Sequence, residues 1–244
     1  MNRGFVAKEQ YVCTVCGYNM VGYYPSNCPF CGAPRGRFIT SAACSAQFKV
    51  KGTPVNEKVT RLNSFPPLGY EHSSYRIETN GSIIWIDCPS SFDSTMKSTD
   101  LIMFTHNHFL GASNLYQEFF SAQVWIHRLD SSHNICRGFT FNNMFEEDFA
   151  ESDVEAFHID GHTPGFTFYI FQDIVFVCDY VFLREETMRF NPFGPARETI
   201  EGAHKIREII EARELSKVCG HNYVADYSEW KDKFDDLLKP VRSR

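Results

Sequence analysis

Short apolar runs separated by polar turns set the rhythm of this chain, and few of them reach helical length. Tyr75 to Thr79 and Ser82 to Asp87 read as two strands joined by Asn80-Gly81. A two-residue connection of that type suits adjacent antiparallel strands, so the pattern predicts a hairpin at the edge of a sheet. Leu101 to Phe104 and Val124 to His127 are short and apolar enough to be buried strands. Residues 153–159 and 166–171 add two more strands, and Ile174 to Cys178 another after a Gln172-Asp173 turn. Near the C-terminus the period changes: Ile200, Ala203, Ile206, Ile209 and Ile210 share one face of a helix predicted over Arg197 to Glu214. Leu215 to Cys219 reads as a last strand. Asp226 to Leu238 reads as a closing helix, with Ser228 as its cap signal and Trp230, Phe234, Leu237 and Leu238 on its apolar side. Mixed strands with interspersed helices predict an α/β layered fold, with no internal repeat or low-complexity segment.

Composition narrows the class. The 244 residues are 43% apolar, enough for one ordinary domain with a small appendage. Runs such as Ile83 to Ile86 are strand-sized, far below the ~20 residues of a membrane span. No apolar leader follows Met1, so the expected location is cytoplasmic and away from membranes. Residues 1–40 hold Arg3, Lys8, Arg35 and Arg37 against Glu9 alone, a net +3 in a chain of net -6. A basic module on an acidic body suits docking on that body or on an acidic redox partner protein. No basic run suggests nucleic acid.

Nine cysteines is an odd count. Four of them form two knuckles, Cys13-Thr-Val-Cys16-Gly17 and Cys28-Pro-Phe-Cys31-Gly32, a spacing that suits metal ligation better than disulfides. In each knuckle two sulfurs share a tight turn, and the following glycine lets backbone amides point back at them. Cys13, Cys16, Cys28 and Cys31 therefore predict a tetrahedral four-sulfur site for iron or zinc. So short a module cannot bury a core of its own, so the ion must supply much of its folding energy. Cys178 and Cys219 end apolar runs and read as buried small hydrophobes.

The surroundings of the knuckles are more specific than their spacing. Tyr11, Gly17-Tyr18, Gly22, Pro25, Cys28-Pro-Phe-Cys31-Gly-Ala-Pro34 and Phe38 resemble the short rubredoxin domain of the rubrerythrin type. The resemblance implies a domain over residues 1–40 whose single iron passes one electron at a time. The competing reading is a structural zinc ribbon.

A second group of candidate ligands lies just past predicted strand ends: His106 and His108, His162, Asp179 and His221. Strand ends hold loop residues rigidly against one another, which is where α/β folds gather reactive groups. Ile86-Asp87, Thr105-His106-Asn107-His108, Gly161-His162-Thr163-Pro164-Gly165, Asp179-Tyr180 and Gly220-His221 resemble the metallo-β-lactamase superfamily in order and kind. That resemblance implies an αβ/βα sandwich over residues 41–244. It places His106, His108 and His162 on a first metal, Asp179 as a bridging ligand and His221 on a second metal.

The chain departs from the superfamily pattern at one point. Thr-His-X-His-X-Asp-His is replaced here by Phe109-Leu110-Gly111 after His108, and neither Leu110 nor Gly111 can bind metal. A second ion would keep only His221 and a share of Asp179, so one iron or zinc on His106, His108, His162 and Asp179 is expected. The lost carboxylate also weakens hydrolysis, leaving His221 and Tyr223 as the candidate catalytic pair beside a small-molecule substrate. The favoured expectation is a mononuclear non-haem iron oxidoreductase served by the rubredoxin-like module. The alternatives are a metallohydrolase acting on a thioester or small ester, and a metal or redox sensor. Redox members of the superfamily often pair subunits so that one chain's electron module meets the other's active site, which suggests a homodimer.

Overall fold

A computed structural model describes residues 9–239. Arg3 and Lys8, counted above in the basic module, lie outside the described residues. Two sheets lie face to face. The first has seven strands, running in space from Asn143–Phe145 through Gln123–His127, Leu101–Met103, Ile83–Ile86, Ser74–Glu78 and Val59–Phe65 to Lys49–Pro54. The second has six, from Phe149–Glu151 through Val154–His158, Thr167–Phe171, Ile174–Cys178 and Lys217–Gly220 to Val224–Asp226.

Alternation along the strands explains the layers. Ile84, Ile86 and Met103 of the first sheet meet Tyr169, Phe171, Ile174 and Phe176 of the second in a buried inter-sheet core. Their neighbours Trp85 and Ile102, pointing the opposite way, pack in an outer layer with Tyr116 of helix Ser113–Phe120. Phe168, Ile170, Val175 and Val177 likewise turn outward under helices Ala196–Glu211 and Tyr227–Leu237. A strand covered on both faces must be apolar at every position, which is why Ile83–Ile86 and Ile174–Cys178 read as continuous runs. Among the described residues, no helix is long and apolar enough to cross a membrane.

The cysteine module has a three-stranded sheet of Gln10–Cys13, Asn19–Val21 and Phe38–Thr40. It is not held by its ligands alone. Cys13, Cys16, Tyr18, Met20 and Cys28 belong to the same apolar cluster as Leu62, Trp85, Ile102, Phe104 and Tyr116. The Tyr18 hydroxyl donates to the Ile135 carbonyl at 2.6 Å, and the Asn19 amide donates to the Ser90 carbonyl at 3.0 Å. The module shares a core with the body, so burial adds to whatever an ion contributes.

Several expectations change. The Asn80-Gly81 hairpin is not at an edge: its strands pair in the middle of the seven-stranded sheet, Tyr75 opposite Ile86. The edge is made instead by Lys49–Pro54, whose exposed residues carry no alternation. The polar stretch after Thr40 is a helix, Ser41–Gln47, with the Thr40 hydroxyl accepting from the Ala43 amide. Asp226, not Ser228, caps the closing helix, accepting from the Ser228 amide at 3.0 Å. The hairpin of Val181–Arg184 with Thr187–Phe190 was not foreseen, because its polar turn follows a motif read only for its ligand.

Candidate metal centres

The knuckles close as their sequence implies. Gly17 and Gly32 have φ of 81° and 74°, a left-handed backbone that favours glycine, and their amides donate to the carbonyls of Cys13 and Cys28 at 2.8 and 2.9 Å. The Cys13 and Cys31 sulfurs are 3.7 Å apart, as are those of Cys16 and Cys28. A tetrahedron with metal–sulfur bonds of ~2.3 Å has edges of ~3.8 Å, so the four sulfurs fit one ion of zinc or iron size. Cys13, Cys16 and Cys28 are buried, while Cys31 is exposed.

The histidine group assembles at one end of the sandwich. His106 and His108 follow the strand Leu101–Met103, His162 sits between Val154–His158 and Thr167–Phe171, and Asp179 follows Ile174–Cys178. Ligand atoms of His106, His108, His162 and Asp179 all lie within 4.8 Å of one another. His106 Nε2 is 3.4 Å from Asp179 Oδ1, His162 Nε2 is 3.5 Å from Asp179 Oδ2, and His108 Nδ1 is 3.1 Å from His162 Nε2. Metal–nitrogen bonds of 2.0–2.1 Å in a tetrahedron place ligand atoms ~3.3 Å apart, the spacing found here. His106 Nε2 and Asp179 Oδ1 are buried without a hydrogen-bond partner, which a cation would satisfy.

Neighbours aim these groups. The Thr105 hydroxyl contacts both Asp87 oxygens and lies 2.9 Å from His106 Nδ1, leaving Nε2 to face the site. Asn191 donates to Asp179 Oδ2 at 2.8 Å. Burial holds His106 well below the ordinary imidazole range and His108 at about 4, so both are neutral and competent as ligands near pH 7. Burial pushes the Asp179 carboxyl up, but His162, His106 and His72 together hold it well below the usual carboxylate range. Asp87, farther inside, is pushed up to about 7 by burial.

Leu110 and Gly111 are built for other work. Leu110 is 1% exposed and sits in the outer apolar cluster, and Gly111 has φ 53° against the backbone of Cys88 and Pro89. His221, after strand Lys217–Gly220, reaches the same end of the sandwich. Tyr223 does not accompany it. Its hydroxyl receives the Trp230 N–H at 3.1 Å and donates to the Val181 carbonyl at 3.4 Å, on the helix side of the second sheet. The hydroxyl of Tyr223, expected as a catalytic partner of His221, is engaged by Trp230 and Val181 instead.

Sequence reasoning missed His72. Its ring centroid is 4.1 Å from that of His221, and its Nε2 is 3.6 Å from Asp179 Oδ2. His72 precedes strand Ser74–Glu78, which is antiparallel to Ile83–Ile86, so its start lies at the end where the parallel strands finish. Topology was the missing signal.

A cavity of about 730 Å³ opens over both groups, lined by Cys16 and Cys31 from one and by His108, Asp179, His72 and His221 from the other. Phe30, between the second pair of cysteines, has its ring centroid 5.4 Å from that of His108 and 4.9 Å from that of Phe109. The cysteine module thus stands beside the histidine group within one chain. Phe193, 82% exposed, also lines the cavity.

A layered fold with two donor groups around one cavity defines a metal-binding protein, and comparison with known proteins specifies it. Residues 11–39 match the family model described as the rubrerythrin, rubredoxin-like domain. The body has the metallo-β-lactamase fold. A metallo-β-lactamase from Pontibacter korlensis superposes with a TM-score of 0.64 at 16% identity, covering 79% of this chain and 100% of that one. One from Hirschia baltica gives 0.61 at 12% identity, covering 79% and 99%. An archaeal metallo-β-lactamase superfamily protein from Sulfolobus tokodaii gives 0.52 at 12% identity, covering 71% and 82%. No curated protein matches the chain.

Proposed function

We propose that this protein is a metal-dependent oxidoreductase in which the four-cysteine site relays single electrons to an ion held by His106, His108, His162 and Asp179. The observation that carries this reading is the shared cavity: Cys16 and Cys31 line it together with His108 and Asp179, and Phe30 bridges the two groups. An iron at the histidine group would supply open coordination positions for an oxidising small molecule such as dioxygen or a sulfur species. The protein's own part is positional. Thr105 and Asn191 fix the ligands, and Phe30 and Phe109 pack against each other beside them. Exposed Cys31 gives a one-electron donor protein access to the sulfur site.

The test begins with metal content and colour of protein isolated without added zinc. A red chromophore bleached by dithionite, and recovering on exposure to dioxygen at a rate that falls in Phe30→Ala, is expected. Colourless protein with zinc on the cysteines would sink the relay. The second reading, a metallohydrolase acting on a thioester or small ester with a structural cysteine site, is favoured by the likeness to metallo-β-lactamases. It predicts ester turnover that persists when Cys13 and Cys28 are replaced by serine.

A further inference from the structure

We propose that Asp130 is a positioning residue of the histidine group, clasping the loop that carries His106 and His108 to the loop that carries His162. This role rests on that group being a metal centre, but on neither its metal nor its reaction.

Asp130 lies in the short helix Arg128–Ser131, directly after strand Gln123–His127, and is fully buried. Its carboxylate reaches both ligand loops. Oδ2 accepts from the Asn107 amide at 3.0 Å and from the Thr163 hydroxyl at 2.8 Å, and Oδ1 accepts from the Gly165 amide at 2.9 Å. Asn107 stands between His106 and His108, and Thr163 follows His162, so two of the three bonds fall one residue from a ligand. The first loop leaves the seven-stranded sheet, and the second joins two strands of the six-stranded sheet. One carboxylate thus sets the loops of both sheets against each other.

The partners suit a carboxylate and nothing else. Backbone amides only donate, so both oxygens must accept, which an ionised carboxylate can do and a side-chain amide can do at one atom alone. A buried charge is costly unless it is hydrogen-bonded, and here the ligand loops supply the bonds. Gly165 makes the close approach possible, since a Cβ there would lie 2.8 Å from Asp130 Cγ and 2.9 Å from His127 Nδ1. Deeper in the sandwich the Thr167 amide donates to the Thr105 carbonyl at 2.8 Å, and the Tyr169 hydroxyl donates to the Phe104 carbonyl at 2.7 Å. Those bonds join the strand ends without Asp130. Its clasp sets the loops beyond them, where His108 Nδ1 and His162 Nε2 stand 3.1 Å apart. Groups that hold ligands in their productive positions are worth ~10–100-fold in metal affinity.

The full chain, stripped by chelator and titrated with zinc alone against a competing chelator, tests this. The zinc that wild type holds and His106→Ala does not is the zinc of the histidine group. Asp130→Ala should bind that zinc about 10–100-fold more weakly. Thr163→Val, which keeps both amide donors, should weaken it less, and should have no further effect when added to Asp130→Ala, because both changes act through one contact. Ile210→Ala, which leaves a cavity between helix Ala196–Glu211 and the second sheet, is the control for lost stability: its Tm should fall and its zinc affinity should stay at the wild-type value. If Asp130→Ala and Thr163→Val bind zinc as wild type does, or lose no more affinity than Ile210→Ala, Asp130 only stabilises the fold and the proposal is overturned. Circular-dichroism melts establish which variants fold, and Thr163→Val, which retains the carboxylate, decides the matter should Asp130→Ala not fold. His106→Ala separates this proposal from the reading beneath it: zinc content there equal to wild type would remove the metal centre itself, whatever Asp130 does.

Discussion

Restoring the ligand pair that the metallo-β-lactamase pattern leads one to expect, by Leu110→Asp and Gly111→His, should damage this protein rather than add a metal. Any side chain at 111 begins with a Cβ that would lie 2.3 Å from the Cys88 carbonyl oxygen and 2.4 Å from that of Pro89, on a backbone with φ 53°. Both contacts are to main chain, so no side-chain rotation relieves them. The left-handed backbone costs a non-glycine residue roughly 1–2 kcal/mol, and overpacking about 1–3 kcal/mol, so Gly111→Ala alone should cost ~2–5 kcal/mol. In a domain of this size that lowers Tm by ~4–20 °C, at about 2–4 °C per kcal/mol. Leu110→Asp adds the loss of a buried apolar side chain, ~2–3 kcal/mol, before any cost of its charge. The two together approach the whole stability of a typical domain, ~5–15 kcal/mol. Urea melts of Gly111→Ala and of the double variant measure this directly. A Gly111→Ala variant within about 0.5 kcal/mol of wild type would refute the reasoning, as would a double variant that folds and binds an additional ion.

Other outcomes follow from the same geometry. His162→Ala should release the ion of the first group while leaving the sulfur site's spectrum unchanged, read by metal analysis beside visible absorption. Tyr223→Phe should retain turnover yet leave the buried Trp230 N–H unpaired, at about 1–3 kcal/mol in a denaturant melt, whereas a large loss of turnover would return Tyr223 to the catalytic group. For metal-free protein, burial lowers His108 to about 4 from 6.5, so the unfolded chain binds more protons between those values. Its stability should be complete above pH ~6.5 and fall on acidification through pH ~4, with bound metal steepening the loss as protons compete for the ligands. Melts at graded pH, with and without zinc, check the direction.

Much of the fold was legible because its strands are covered on both faces. Ile83–Ile86 and Ile174–Cys178 must be apolar at every position, and such runs bounded by turns are hard to mistake. Lys49–Pro54 was not legible, since an edge strand with both faces exposed has no reason to alternate. The donor groups that share a motif, Cys13 with Cys16 and His106 with His108, could be read from spacing. His72 could not, because its place depends on strand order: only antiparallel pairing of Ser74–Glu78 with Ile83–Ile86 brings it to Asp179. Tyr223 is two residues from His221 in sequence, yet its hydroxyl pairs with Trp230 and Val181, partners that spacing could not reveal.

The shared outer core also fixes an order of assembly. The knuckle cysteines are made first, but Trp85, Tyr116 and Ile135, which cover them, follow as much as ~100 residues later, a delay of ~5–20 s at synthesis rates of 5–20 residues per second. During that interval the sulfurs are open to whatever ion or oxidant the nascent chain meets. Asp179 and His221 arrive later still, from the second sheet. The cysteine site can thus be loaded and capped before the residues that complete the histidine group have been made.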